Sequence, residues 1–204
     1  MNVYTLATLL LAYLFGSIPA GVLIARAYGV NLREVGSGNI GATNVLRALG
    51  WGPAIVVFLF DMFKGGIAVW IARTLGIEGW LLGGVALAAV LGHNFSVFLG
   101  FKGGKGVATS LGTVLFLDPA VALFGLVVAA VVILLTRYVS AGSLTGTFSG
   151  LAYAVATGRS GWELATLFAI VALVYWTHRE NIVRLQQGRE RRLGEKAEKR
   201  TRYP

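Results

Sequence analysis

The chain has 204 residues, of which 56% are hydrophobic and only 13% charged, with 28 glycines and a mean hydropathy of +0.72. So few charges cannot cover a water-soluble domain of this length, and the absence of cysteine excludes disulfides, thiolate metal sites and a cysteine-thioester acyl mechanism. The net charge of +9 does not indicate nucleic acid: half of the 18 basic residues lie between Arg179 and Arg202, beside four glutamates, as in a tail resting on anionic lipid.

In chain order, apolar runs occupy roughly 3–25, 53–72, 79–99, 107–117, 120–136, 141–157 and 162–177. Most approach the ~20 residues that cross a hydrocarbon core of ~30 Å. No positive segment precedes the first run, which therefore reads as a retained span rather than a signal peptide. The fourth is too short to cross fully, and charge placement decides whether it counts. With seven crossings and the N-terminus outside, one side receives Arg26, Arg33, Arg47, Lys102, Lys105, Arg137 and the basic tail. The other receives only Arg73 and Arg159, with Glu78, Asp118 and Glu163. Removing the fourth run as a crossing would scatter this asymmetry. The expectation is an all-α, polytopic integral membrane protein of seven transmembrane helices, one short or half-spanning and ending at Asp118-Pro119, with a cytoplasmic C-terminus. It forms a single membrane-embedded domain, 1–204, with a basic tail from about 179.

The loop after the first span, Gly36-Ser37-Gly38-Asn39-Ile40-Gly41-Ala42-Thr43-Asn44 with Arg47 beyond it, offers backbone N–H groups, side-chain donors and a guanidinium fork suited to phosphate oxygens. It matches G-x-G-x-x-G formally, but a membrane span precedes it in place of the strand that a dinucleotide site requires. Inside the second span, Asp61 and Lys64 lie one turn apart. Charges inside a span point to function, but these two can also neutralise each other and lock the helix to its neighbours, so both readings stand.

Further on, Gly92-His93-Asn94-Phe95-Ser96 leads through Phe101-Lys102-Gly103-Gly104-Lys105-Gly106 to Val107-Ala108-Thr109. Gly-Gly-Lys-Gly opening a helix presents backbone donors, a favourable dipole and a point charge to an anion. It is not a Walker A loop, since Gly106 stands where a magnesium-binding hydroxyl would be. Lys102 reads equally as a topology charge. Ser143, at the start of the sixth span, reads as a helix cap or a ligand. In Thr177-His178-Arg179-Glu180-Asn181, His178 and Asn181 share a helix face, serving either helix-end capping or a site. The cytoplasmic side carries only Glu34 and the tail glutamates, so no carboxylate cluster is expected to hold a metal ion. The pattern of His, four residues, then Asp used by soluble acyltransferases also fails, because Phe98 stands five places after His93.

Together, Gly16-Ser17-Ile18-Pro19, the run from Asn31-Leu32-Arg33-Glu34 to Arg47, Asp61 with Lys64-Gly65, Gly92-His93 through Thr109, and His178-Arg179-Glu180-Asn181-Ile182 resemble the ordered signatures of the bacterial acyl-phosphate-dependent glycerol-3-phosphate acyltransferases. The resemblance covers essentially the whole chain, with Asn31 standing where Asp is expected. It implies a seven-span bacterial inner-membrane enzyme whose site faces the cytoplasm. Such an enzyme moves a fatty acyl group from acyl phosphate to the 1-hydroxyl of glycerol 3-phosphate, giving lysophosphatidic acid and phosphate without a cofactor or metal. By resemblance, the phosphate and substrate groups fall on Ser37, Asn39, Arg47, His93, Lys105, Ser143, His178 and Asn181. Gly38 and Thr43 join them from the loop, and His93, His178 and Asn39 are the candidate catalytic groups. The expected partners are glycerol 3-phosphate, acyl phosphate and membrane lipids, and not nucleic acid. A phosphate transporter would sooner show an inverted repeat, and a scaffold would not need so many cytoplasmic donors.

Overall fold

The computed structural model describes residues 3–197, and among these the chain is helical with no strands. Each of the seven apolar runs is a helix or helix pair: α1 (Val3–Gly16) with α2 (Ala20–Ala27), α4 (Trp51–Thr74), α5 (Gly79–Asn94), α6 (Val107–Leu117), α7 (Pro119–Thr136), α8 (Val139–Ala156) and α9 (Gly161–Thr177). Two short helices lie outside the runs, α3 (Ala42–Leu49) and α10 (Arg179–Gln186). Among the described residues, four stretches are long and apolar enough to cross a membrane: Tyr4–Ala27, Trp51–Thr74, Gly79–Leu99 and Pro119–Thr136. Helices α6 and α9 are shorter and apolar.

The first run is broken where a continuous helix was expected. Pro19 has no N–H to donate, so the chain parts between α1 and α2. The exposed carbonyls are not orphaned: Lys64 Nζ donates to Ile18 O at 2.9 Å and Ser96 Oγ to Ser17 O at 2.6 Å. Irregular backbone inside an apolar bundle survives only when such partners are supplied. The second break falls at Asp118-Pro119 as expected. The Asp118 carboxylate accepts from Ala120 N and Val121 N at 3.0 and 3.1 Å, with proline at the first helical position.

In lipid, helices gain little from the hydrophobic effect on pairing, so close contact between small residues decides which faces meet. A Cβ at Gly112 would stand 1.8 Å from Met62 O, and one at Gly16 2.1 Å from Ala89 O, which fixes α6 against α4 and α1 against α5. In the α7–α8 hairpin, Gly142, Gly146 and Gly150 face Ala129, Gly125 and Val121 in antiparallel order.

These pairings sort the connections. One end of the bundle gathers the α2–α4 and α5–α6 connections, the α7–α8 turn and α10. There, Arg33 donates to Lys102 O, Thr177 Oγ1 to Lys105 O at 3.2 Å, and Leu193 N to Arg137 O at 2.6 Å. The other end joins α4, α6 and α8 through Arg73, which donates to Leu117 O at 2.8 Å, and the Arg159–Asp118 ion pair.

Candidate functional site

At the first end, a polar cavity of about 160 Å³ is walled by α3, α6, α8 and α10 and floored by α4 and α5. Its upper wall begins with Asn44, which is buried and organises the loop. Its Oδ1 accepts from Ser37 N at 2.9 Å, and its amide nitrogen lies within 3.2 Å of the carbonyls of Leu32, Val35 and Asn39. Gly36 and Gly38 adopt φ values of +55° and +70°, which side chains rarely tolerate; at Gly36 a Cβ would also strike Asn44. The loop so folded turns Ser37, Asn39 and Thr43 to the cavity, with Arg47 following on α3. Gly38 is not among the lining residues; its carbonyl accepts from Arg33 at 3.2 Å and shapes the loop.

The glycine loop before α6 works differently from the expected anion cradle. The N–H groups of Gly103 and Gly104 donate to Asn94 O and His93 O, both at 3.0 Å, so neither is free for a ligand. A Cβ at Gly103 would lie 2.0 Å from His93 O, and one at Gly104 2.2 Å from His93 Nε2. The glycines are therefore required for close packing on His93 and Asn94, and this packing delivers Lys105 and the start of α6 to the cavity. Lys102 is exposed and not among the lining residues.

Three helix N-termini meet at the cavity without side-chain caps, those of α3, α6 and α8. Their partial positive charge and unpaired N–H groups favour an anion. Arg47, Lys105, Arg184 and Arg191 add full charges, and the buried Arg47 Nε and Ser140 Oγ have no hydrogen-bond partner among the described residues. Ser143 is not a cap: it sits in the second turn of α8, donates to Val139 O at 2.9 Å and lines the cavity.

Lys105 donates to Asn181 Oδ1. Burial and the neighbouring Arg184 lower its pKa to about 8, against the opposing pull of Glu190 and Glu180. His178 closes α9 and opens α10, so helix capping and cavity lining coincide. Its Nδ1–H donates to Val174 O at 2.8 Å, leaving Nε2 as an acceptor. Burial, then Lys105, pushes its pKa down to about 4, so the ring is neutral near pH 7. Burial likewise lowers Arg47.

On the floor, Lys64 Nζ donates to Asp61 Oδ1 at 2.6 Å, as the i, i+3 spacing predicts, but also lies 3.0 Å from His93 Nδ1. The ammonium has only hydrogens to give, so His93 Nδ1 accepts and Nε2 carries the proton. The two histidines are thus opposite in character, His93 a donor and His178 an acceptor.

Of the residues singled out from sequence, Ser37, Asn39, Thr43, Arg47, His93, Lys105, Ser143, His178 and Asn181 all line this cavity. Sequence reasoning missed Ser140, Arg184, Glu190 and Arg191, and left Asp61 between a structural and a functional role. The charge of Asp61 inside an apolar run is what pointed to it, whereas the other four carried no such signal. Among the described residues no three His, Asp or Glu side chains form a metal-holding group.

Beside the polar cavity lies an apolar one of about 190 Å³ between α6, α7, α8 and α9. Phe58, Val107, Val139 and Ser143 line both.

The glycerol-3-phosphate acyltransferase family matches residues 6–188. A glycerol-3-phosphate acyltransferase of Thermus thermophilus is 69% identical over 193 residues, 95% of this chain and 97% of the relative. One of Aquifex aeolicus is 50% identical over 183 residues, 89% and 95% of the two chains. Among solved structures, that of PlsY (YgiH), an integral membrane glycerol 3-phosphate acyltransferase, in its glycerol 3-phosphate form is 48% identical. It superposes with a TM-score of 0.90 over 94% of this chain and 96% of that one. The lysophosphatidic acid form gives a TM-score of 0.88 at 47% identity, with the same coverage.

Proposed function

Because the chain belongs to the glycerol-3-phosphate acyltransferase family, we propose that it transfers a fatty acyl group from acyl phosphate to the 1-hydroxyl of glycerol 3-phosphate, releasing lysophosphatidic acid and phosphate. The observation that carries this reading is the junction of a cationic, donor-rich cavity with an apolar one at Val107, Val139, Ser143 and Phe58. Two phosphate-bearing substrates, one soluble and one amphiphilic, need such a shape: phosphates on helix N-termini and cations, the chain among apolar helices.

An acyl phosphate is already activated, so the residues need only orient, polarise and move a proton. Arg47, Lys105 and the loop donors hold the phosphates and bring the hydroxyl to the acyl carbonyl. His93 Nε2–H supplies a donor suited to oxygen charge developing on the carbonyl, and the neutral His178 Nε2 an acceptor for the hydroxyl. As the new ester C–O bond forms and the acyl C–O bond to phosphate breaks, the hydroxyl proton passes to His178 or directly to the departing phosphate.

The bundle ends support seven crossings, the site facing the cytoplasm of a bacterial inner membrane and the whole chain acting as one domain. The cation-rich end is the one that carries the polar cavity. Purified protein given glycerol 3-phosphate with either palmitoyl phosphate or palmitoyl-CoA tests the donor. Lysophosphatidic acid and inorganic phosphate are expected from the first alone. Turnover of the CoA ester instead, or of neither, overturns the reading.

A further inference from the structure

Besides Asp61, which Lys64 neutralises on the floor, Glu190 places a carboxylate in a cavity built for anions, which weakens attraction for phosphate unless the group does something else. Its side chain is 5% exposed, and the chain beyond α10 is arranged to put it there. At Gly188 (φ +67°) the backbone turns back and Arg189 N donates to Arg184 O at 2.8 Å. The segment then lines the cavity with Glu190 and Arg191 and runs on across this end of the bundle. Leu193 N donates to Arg137 O at 2.6 Å, the Arg137 guanidinium returns a bond to Leu193 O at 3.0 Å, and Ala197 N donates to Arg47 O at 3.0 Å. This strap lies past residue 188, where the family match ends.

Both oxygens of Glu190 are in use. Asn181 Nδ2 donates to Oε1 at 2.7 Å and Arg184 Nε to Oε2 at 2.8 Å. An amide whose nitrogen is committed to a carboxylate must present its oxygen on the other side, and there Asn181 Oδ1 accepts from Lys105. Without the carboxylate the amide is free to turn, and an NH2 group facing an ammonium offers it nothing.

We propose that Glu190 is a positioning residue for acyl transfer: it fixes the Asn181 amide and anchors Arg184, and so holds Lys105 aimed at the substrate phosphate. The proposal rests on the function proposed above. Lys105 is faced by Glu190 from the strap, Arg47 from α3, Glu180, Asn181 and Arg184 from α10, and His178 from the α9–α10 joint. Removing the carboxylate removes the largest influence keeping Lys105 protonated against its burial.

The test is steady-state kinetics with palmitoyl phosphate across pH, on Glu190→Gln and Glu190→Asp, with melting in detergent as the control for folding. Glu190→Gln should raise KM for glycerol 3-phosphate about tenfold with kcat little changed. It should also move the alkaline limb of kcat/KM to lower pH by roughly half a unit or more. Glu190→Asp, charged but short, should keep the limb and still raise KM. Wild-type KM together with an unmoved limb in Glu190→Gln overturns the proposal. So does a loss of melting point and activity together in both variants, which would make the strap merely structural. Wild-type protein that forms no lysophosphatidic acid sinks the function itself, and this proposal with it.

Discussion

At the scale of single residues, the cavity depends on charge-assisted contacts that a static anion site needs most. Arg47→Ala or Lys105→Ala should each remove roughly 1.5–3 kcal/mol of binding, a loss of about ten- to a hundredfold in kcat/KM for glycerol 3-phosphate. Arg47→Lys should also suffer, since a point charge does not reproduce the guanidinium fork. Near-normal kinetics in both Ala variants that still insert and fold would remove these residues from the site. The pH dependence follows from Lys105. Its pKa is lowered to about 8, so its charge is present below that value and lost as pH rises through it. Activity should therefore decline on the alkaline side with Lys105, and Lys105→Arg, charged throughout, should flatten that limb. His178, lowered to about 4, stays neutral from pH 5 upward and should leave no acid limb in that range. Arg47 and Lys105 were legible because side chains with phosphate chemistry stood in or just after glycine-rich loops. Glu190 was not, because a glutamate in a basic tail looks like any solvated tail glutamate until the strap folds back.

The buried Asp61–Lys64 pair shows what spacing alone leaves out. An i, i+3 pair was readable, but His93 joins it from α5, 29 residues later, and no local pattern announces that. Asp61→Ala should leave the buried Lys64 uncompensated, costing about 3–5 kcal/mol and lowering yield and melting temperature first. The double change Asp61→Ala, Lys64→Ala should recover part of that stability. It should not recover activity, because His93 Nδ1 then loses the donor that sets its tautomer and orientation. Full activity per folded molecule in the double variant would return the pair to a purely structural role.

At the scale of elements, the seven apolar runs were plain in the sequence because transmembrane length is set by hydropathy and needs no tertiary knowledge. What was missed is short and polar. Helix α3 follows a glycine loop and spans only eight residues, two turns, so its start read as part of the loop. Pro19 marked a break in the first helix, but the partners that stabilise it, Lys64 and Ser96, come from other parts of the chain and were hidden for that reason. Helix α6 reaches its place through glycine rather than through apolar area. Gly112→Ala would set a methyl against Met62 O and push α6 off α4, with a cost of about 1–3 kcal/mol. Because α6 starts at the cavity, kcat/KM should fall with it. Gly52→Ala, in a helix where an added Cβ meets nothing within 4 Å, should be neutral or slightly stabilising. Equal melting temperatures for the two variants would mean that close glycine packing does not hold this bundle together.

At the scale of the whole molecule, charge and fold agree on two unlike ends. The cavity end holds Arg33, Arg47, Lys102, Lys105, Arg137 and Arg184, whereas the other holds Arg73 and Arg159, the latter neutralised by Asp118. The final basic residues, Lys199, Arg200 and Arg202, lie outside the described residues, yet the preceding strap already binds to the cavity end. The proposed seven crossings, an odd number, would put the start of α1 and α10 on opposite sides. The native chain has no cysteine, so single cysteines report cleanly. Thr157→Cys, exposed at the end of α8, avoids disturbing Arg159, and Lys196→Cys marks the strap. In intact spheroplasts an impermeant maleimide should label position 157 and not 196, and lysed membranes should expose both. Labelling of both positions from the outside would rule out seven crossings. Labelling of 196 alone would invert the molecule and put the polar cavity on the side away from soluble glycerol 3-phosphate.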